Sequence, residues 1–171
     1  MDERESGFTI VELMAVIAIG AVLLTLGAGA LRDYTRLKAL TGGHETTMTQ
    51  LRHSQHRTFS EGYPKAYGIR FLEDGNRLDL VRYDASTNTC VVVESHKLTH
   101  GVTVSAAATD FLDNGATGKC EEAAPNASTG YEVALFYARG TANGGTVTYV
   151  LEGTSKQRTL DVNAATGKVS P

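Results

Sequence analysis

Ser6 to Ala30 reads SGFTIVELMAVIAIGAVLLTLGAGA, and this stretch decides how the chain folds. A glycine, Gly7, stands before an apolar run, and one carboxylate, Glu12, stands just inside it. From Leu13 to Leu31 no residue ionises, which is long enough for a membrane-spanning helix. A carboxylate costs about 2.5–3.5 kcal/mol near the centre of such a helix and less near an interface, so Glu12 implies a partner. Gly20, Gly27 and Gly29 punctuate the run without any proline. Each glycine weakens a helix by about 1 kcal/mol, yet small residues also let membrane helices pack closely.

From Leu31 the pattern turns amphipathic. Leu31, Tyr34, Leu37, Leu40, His44, Thr47, Leu51 and Thr58 recur at helical spacings, with Met48 and Gln55 beside them. That is the stripe of a helix lying on a sheet. Gly42-Gly43 interrupts it, so a kink, local fraying or a break into two helices is expected there. After Gly62-Tyr63-Pro64 the chain reads as β structure. AYGIRFL (66–72) and LDLVRY (78–83) flank the turn residues 73–76, a hairpin pattern. CVVVE (90–94), Val102 to Ser105, YEVALFY (131–137), TVTYVL (146–151) and RTLDV (158–162) follow as strands. Residues 106–130 carry few strand signals and read as a long loop, a kind that is functional or needs a tether.

The chain has 171 residues, a net charge of −3, eighteen Gly and three Pro. Beyond the helical part roughly 110 residues remain, the size of one small, turn-rich β domain. A mildly acidic balance lacks the basic footprint of a nucleic-acid binder. Arg139, Lys156, Arg158 and Lys168 are the candidates for a basic stripe. His53 with His56, and His96 with His100, have spacings that can bind zinc but lack a companion ligand at a convincing offset. Asp110, Asp113 and Asn114 could offer oxygens to calcium in the long loop, although the spacing matches no EF-hand loop. No nucleophile elbow and no phosphate cradle is recognisable, so the sequence suggests no enzyme, no cofactor and no catalytic residue. Asn126-Ala127-Ser128 matches a glycosylation sequon.

The residues GFTIVEL (7–13) resemble the processing signal of type IV pilins and type II secretion pseudopilins. The resemblance implies a leader, residues 1–7, removed by a prepilin peptidase after Gly7. It implies N-methylation of the new terminus, Phe8, and pairing of Glu12 with the terminal amine of a neighbouring subunit. The segments 8–31, 32–60 and 61–171 then become a membrane and filament-core helix, an amphipathic helix and a β-rich head. The C-terminal part resembles GspH/FimT-like, H-type minor pseudopilins in Phe136, Gly140, the 146–151 strand, Arg158, Gly167 and Val169. Gly140 and Gly167 are expected at turns that need positive φ. The expected fold is α+β and pilin-like, a long N-terminal helix packed on an antiparallel sheet or β-sandwich.

The function so implied is that of a minor pilin or pseudopilin, a structural subunit of a type IV pilus or a type II secretion pseudopilus. Its implied partners are other subunits, the peptidase, an inner-membrane assembly platform and membrane lipid. The precursor would cross the inner membrane once, and the assembled filament would be periplasmic or extracellular. Arg32, Arg36 and Lys38 lie on the side that the positive-inside rule would keep in the cytoplasm, against this topology. The leader MDERESG is also acidic where family leaders are usually basic. Cys90 and Cys120 are either two buried thiols or one disulfide, and export favours the disulfide. Two other functions fit the same features. One is a DNA-binding minor pilin for natural transformation, contacting nucleic acid through the four basic residues above. The other is an anchored surface domain that never polymerises.

Overall fold

A computed structural model describes residues 9–73, 75–99, 101–122 and 131–171. Two units result, Met1–Arg36 and Leu37–Pro171. One helix, α1 (Ile10–Glu61), runs through both. Among the described residues the second unit adds nine strands: β1 (Lys65–Leu72), β2 (Arg77–Asp84), β3 (Thr89–Lys97), β4 (Val102–Val104), β5 (Asp110–Phe111), β6 (Tyr131–Phe136), β7 (Gly145–Leu151), β8 (Gln157–Val162) and β9 (Val169–Ser170). A short helix, α2 (Gly115–Glu122), lies between β5 and β6. All pairings are antiparallel. The first sheet has the order β3-β2-β1-β6, and the second β4-β7-β8-β9 with β5 also on β7. The expected α+β fold, a long N-terminal helix packed on antiparallel sheets, is borne out.

The core lies between the two sheets and α1. Tyr67, Ile69 and Phe71 of β1, Leu78 and Leu80 of β2, and Ala134 and Phe136 of β6 pack with Val147, Tyr149, Leu160 and Val162 of the second sheet. Leu40 and Leu51 of α1 join the same cluster. The amphipathic stripe is real from Leu40 onward, with His44, Thr47, Leu51 and Thr58 buried. Its first members depart from expectation: Leu31 and Tyr34 are exposed and Leu37 is partly so. The expected interruption at Gly42-Gly43 is also absent, since α1 is helical throughout. Gly43 serves packing instead. A Cβ there would sit 3.3 Å from Val102 Cγ1, tighter than ordinary contact.

The loop read over 106–130 is partly structured. It holds a 3-10 turn, Ala106–Ala108, then β5 and α2, and residues 123–130 lie outside the described residues. α2 covers the outer face of the first sheet, where Cys120 packs on Ala66, Val81, Val133 and Leu135. Asn114 caps it, its Oδ1 accepting from Ala116 N (2.9 Å) and Thr117 N (3.1 Å). A Cys90–Cys120 disulfide ties it to β3, as expected. Arg70, fully buried on β1, donates to Cys120 O (2.9 Å) and to Asp79 Oδ2 (2.8 Å). Burial pushes the Asp79 carboxyl up, but Ser95, Arg70 and Arg77 outweigh this and hold it below the ordinary carboxylate range.

Glu132 on β6 joins the two sheets, its Oε2 accepting from Phe111 N of β5 at 2.9 Å. Burial raises its carboxyl to about 7, and the charges of Asp113, Glu73 and Glu121 add to the rise against the Phe111 hydrogen bond. Between the ordinary value of 4.5 and about 7 the folded chain therefore holds a proton that the unfolded chain has released. Stability falls as pH rises through that window. Glu132→Gln keeps an acceptor for Phe111 and removes the titration. Its thermal midpoint in detergent is expected to exceed that of the wild type at pH 8 and to match it at pH 4. An equal difference at both values would refute this account.

Candidate functional site

The processing motif begins in residues outside the described set: Gly7 and Phe8 both lie there. The described chain opens at Thr9, the residue before α1. Thr9 N donates to Glu12 Oε2 (3.0 Å), Thr9 Oγ1 donates to the same oxygen (3.1 Å), and Glu12 N donates to Thr9 Oγ1 (3.3 Å). This is a reciprocal capping box, two orphan donors of a helix start satisfied by one pair of side chains. Thr9 was not singled out from the sequence, although T-x-x-E before an apolar run is the signature of such a box. The box aims the Glu12 carboxylate at the start of the helix, where the aligned peptide dipoles favour negative charge.

Beyond Glu12 the helix is apolar on every side. Ile10, Val11, Leu13, Met14, Val16, Ile17 and Ile19 are each more than half exposed, as are Val22, Leu23 and Leu24. Thr25 interrupts the run but bonds inward, its Oγ1 donating to Val22 O at 2.8 Å. A helix satisfies its own backbone, so such a segment is compatible with hydrocarbon, whereas water would leave its apolar surface uncovered. By length and composition it can cross a membrane.

The other sequence candidates are dispersed. Arg139 lies in the β6–β7 turn and Lys168 in the β8–β9 turn. These turns meet, because a Cβ on Gly167 would come within 3.1 Å of Gly140 O. Gly140 (φ 84°) and Gly167 (φ 60°) have the positive φ that the turns require. Lys156, just before β8, and Arg158 sit at its other end, beside Leu151 and Tyr149. The four do not form one stripe. His53 and His56 are exposed on α1, His96 pairs with Glu94 (3.2 Å), and His100 lies outside the described residues. Asn114 spends its oxygen on the α2 cap, away from the calcium role considered for it with Asp110 and Asp113. The sequon at Asn126 falls outside the described residues.

Residues 3–28 match the model of the prokaryotic N-terminal methylation motif. Two structures of the minor pseudopilin EpsH from the type 2 secretion system of Vibrio cholerae share the fold. One is 14% identical, covering 77% of this chain and 93% of that one with a TM-score of 0.53. The other, a crystal structure, is 13% identical, covering 80% and 96% with a TM-score of 0.54. No curated protein matches.

Thr9→Val removes the hydroxyl half of the box. A lost cap of about 1 kcal/mol should speed hydrogen exchange of the Glu12 amide in micelles roughly fivefold. Unchanged exchange would show that the box does not hold the helix start. The chain thus joins an N-terminal methylation motif on an exposed apolar helix to a head that shares the fold of the minor pseudopilin EpsH.

Proposed function

We propose that the chain is a minor pseudopilin or minor pilin, a structural subunit and not an enzyme, inserted in the inner membrane as a precursor and then assembled into a filament. The observation that carries this reading is the placement of Glu12. It is the sole ionisable residue among the first turns of a helix whose apolar side chains have no cover within their own unit. After cleavage behind Gly7 by a prepilin peptidase, the amine of Phe8 is the positive group nearest in sequence to Glu12. A neighbour's amine can approach the carboxylate as the helices pack, with an inner-membrane platform guiding the exchange. Lipid and sister helices are equally apolar, so close packing and the buried ion pair must select the filament over the bilayer.

Intact mass spectrometry of protein sheared from the cell surface tests processing. The expected chain lacks Met1 to Gly7 and carries one methyl group on Phe8. Detection of the unprocessed chain alone would count against the reading. Glu12→Ala is expected to stay in the membrane, since removal of a carboxylate eases residence there. Its recovery in the sheared fraction should fall roughly tenfold, the loss of about 1.4 kcal/mol of subunit pairing. Equal recovery of variant and wild type would remove Glu12 from the mechanism.

A further inference from the structure

The apolar run of α1 ends at Leu31, and two arginines a turn apart follow it. Arg32 is exposed and Arg36 partly so. Neither forms an ion pair among the described residues. Four residues apart, they share one face of the helix. Asp33, the carboxylate of this stretch, lies about 100° around the helix from Arg32. Lys38, the next cation, belongs to the second unit. Like charges at this spacing repel, so the pair weakens an isolated helix until an anion settles between them. The same face is open on its membrane side. A Cβ on Gly29 would meet nothing within 4 Å, and the Thr25 hydroxyl is turned inward to Val22 O.

We propose that Arg32 and Arg36 form a site for the phosphodiester of an anionic glycerophospholipid, at the surface where α1 leaves the bilayer. The inference rests on the anchored-precursor reading above and names the lipid chemistry of that anchor. From Ile10 to Leu31 the helix is about 33 Å long at 1.5 Å per residue. The hydrocarbon layer is about 30 Å thick, so Arg32 stands just outside it and Arg36 one turn further. Helical side chains lean toward the N-terminus, which carries both guanidinium groups back to the headgroup layer. A guanidinium forks onto two phosphate oxygens with parallel N–H donors, which an ammonium cannot do. A headgroup with its own ammonium already neutralises its phosphate, so an anionic headgroup is the better complement to two cations. The contact also gives a partner to arginines that the positive-inside count would keep in the cytoplasm.

The test reconstitutes the full chain in vesicles of phosphatidylcholine and phosphatidylglycerol in equal parts. The chain is extracted in mild detergent, and native mass spectrometry weighs the lipid that stays bound. Phosphatidylglycerol adducts should exceed phosphatidylcholine adducts about fivefold, the effect of a basic side chain at an anionic surface. Arg32→Gln with Arg36→Gln should bring the ratio to about one, while Arg139→Gln in the second unit should leave it unchanged. Excess inorganic phosphate should not displace the lipid, because a free anion lacks the acyl chains that hold the headgroup in place. Equal adducts on the wild type or a preference indifferent to the double substitution would overturn the proposal. So would an equal loss from Arg139→Gln, displacement by inorganic phosphate, or dimers of the chain in place of lipid adducts. Carbonate extraction of the same vesicles is scored alongside. A chain that stays with the vesicles without any preference sinks this contact alone, whereas a chain released by carbonate sinks the anchored reading as well.

Discussion

The inner faces of both sheets close on one face of α1, and the head depends on that contact. Leu40, His44, Met48 and Leu51 supply its bulk, and Gly43, Thr47, Ser54 and Thr58 are small positions between them. Small residues let the sheets come near, which is what packing at crystal-like density needs. Their hydroxyls would be orphaned there, so each turns back to its own helix: Thr47 Oγ1 to Gly43 O (3.0 Å), Ser54 Oγ to Leu51 O (2.8 Å) and Thr58 Oγ1 to Ser54 O (3.0 Å). Thr58 also accepts from Tyr67 N at 2.9 Å, fixing where β1 begins. The same helix meets the opposite demand in its first half, where bulky apolar residues point outward on every side.

α2 shows how a weak element is held by its surroundings. Its sequence, GATGKCEE, has two glycines in eight residues, and isolated helices of that length are not stable in water. Three attachments replace intrinsic propensity. Asn114 caps one end, Arg70 satisfies a carbonyl at the other, and the disulfide closes a separation of 30 residues, worth roughly 3–4 kcal/mol in the chain-entropy account. The arginine is the sensitive member. Its side chain has no solvent exposure, so loss of Asp79 would leave a buried cation without its counter-charge.

What was legible in the sequence follows from how local each cause is. The strands other than β5 and β9 were legible as short apolar and β-branched runs bounded by turn residues, and their limits moved by one residue or a few at most. α2 was hidden because its stability comes from partners that are distant in sequence. Gly42-Gly43 was misread for the same reason: propensity marks a break, while the approach of Val102 requires the missing side chain at Gly43. The basic residues of the C-terminal part looked like a stripe in linear order, but β8 separates Lys156 and Arg158 from Lys168 by its own length. At the N-terminus the apolar helix was legible, since an apolar run is a local pattern, and the capping box is equally local. Only Thr9 was passed over.

Thr9 also bears on why a carboxylate can reside in such a helix before any neighbour arrives. The capping box gives Glu12 two donors, and the helix start adds the positive end of its dipole. Neither supplies a counter-charge. Hydrogen bonds lower the penalty of a carboxylate near hydrocarbon, but the net charge persists, and its field is strong wherever the dielectric is low. In the proposed filament a neighbour's ammonium would remove that charge, and its attraction would be greatest where water is most excluded, among packed helices. The box therefore makes the monomer tolerable without making it the best-satisfied state. On the proposed assembly, exchange of Thr9 for an amine would be downhill in a helix bundle and unrewarding at the water-rich membrane surface.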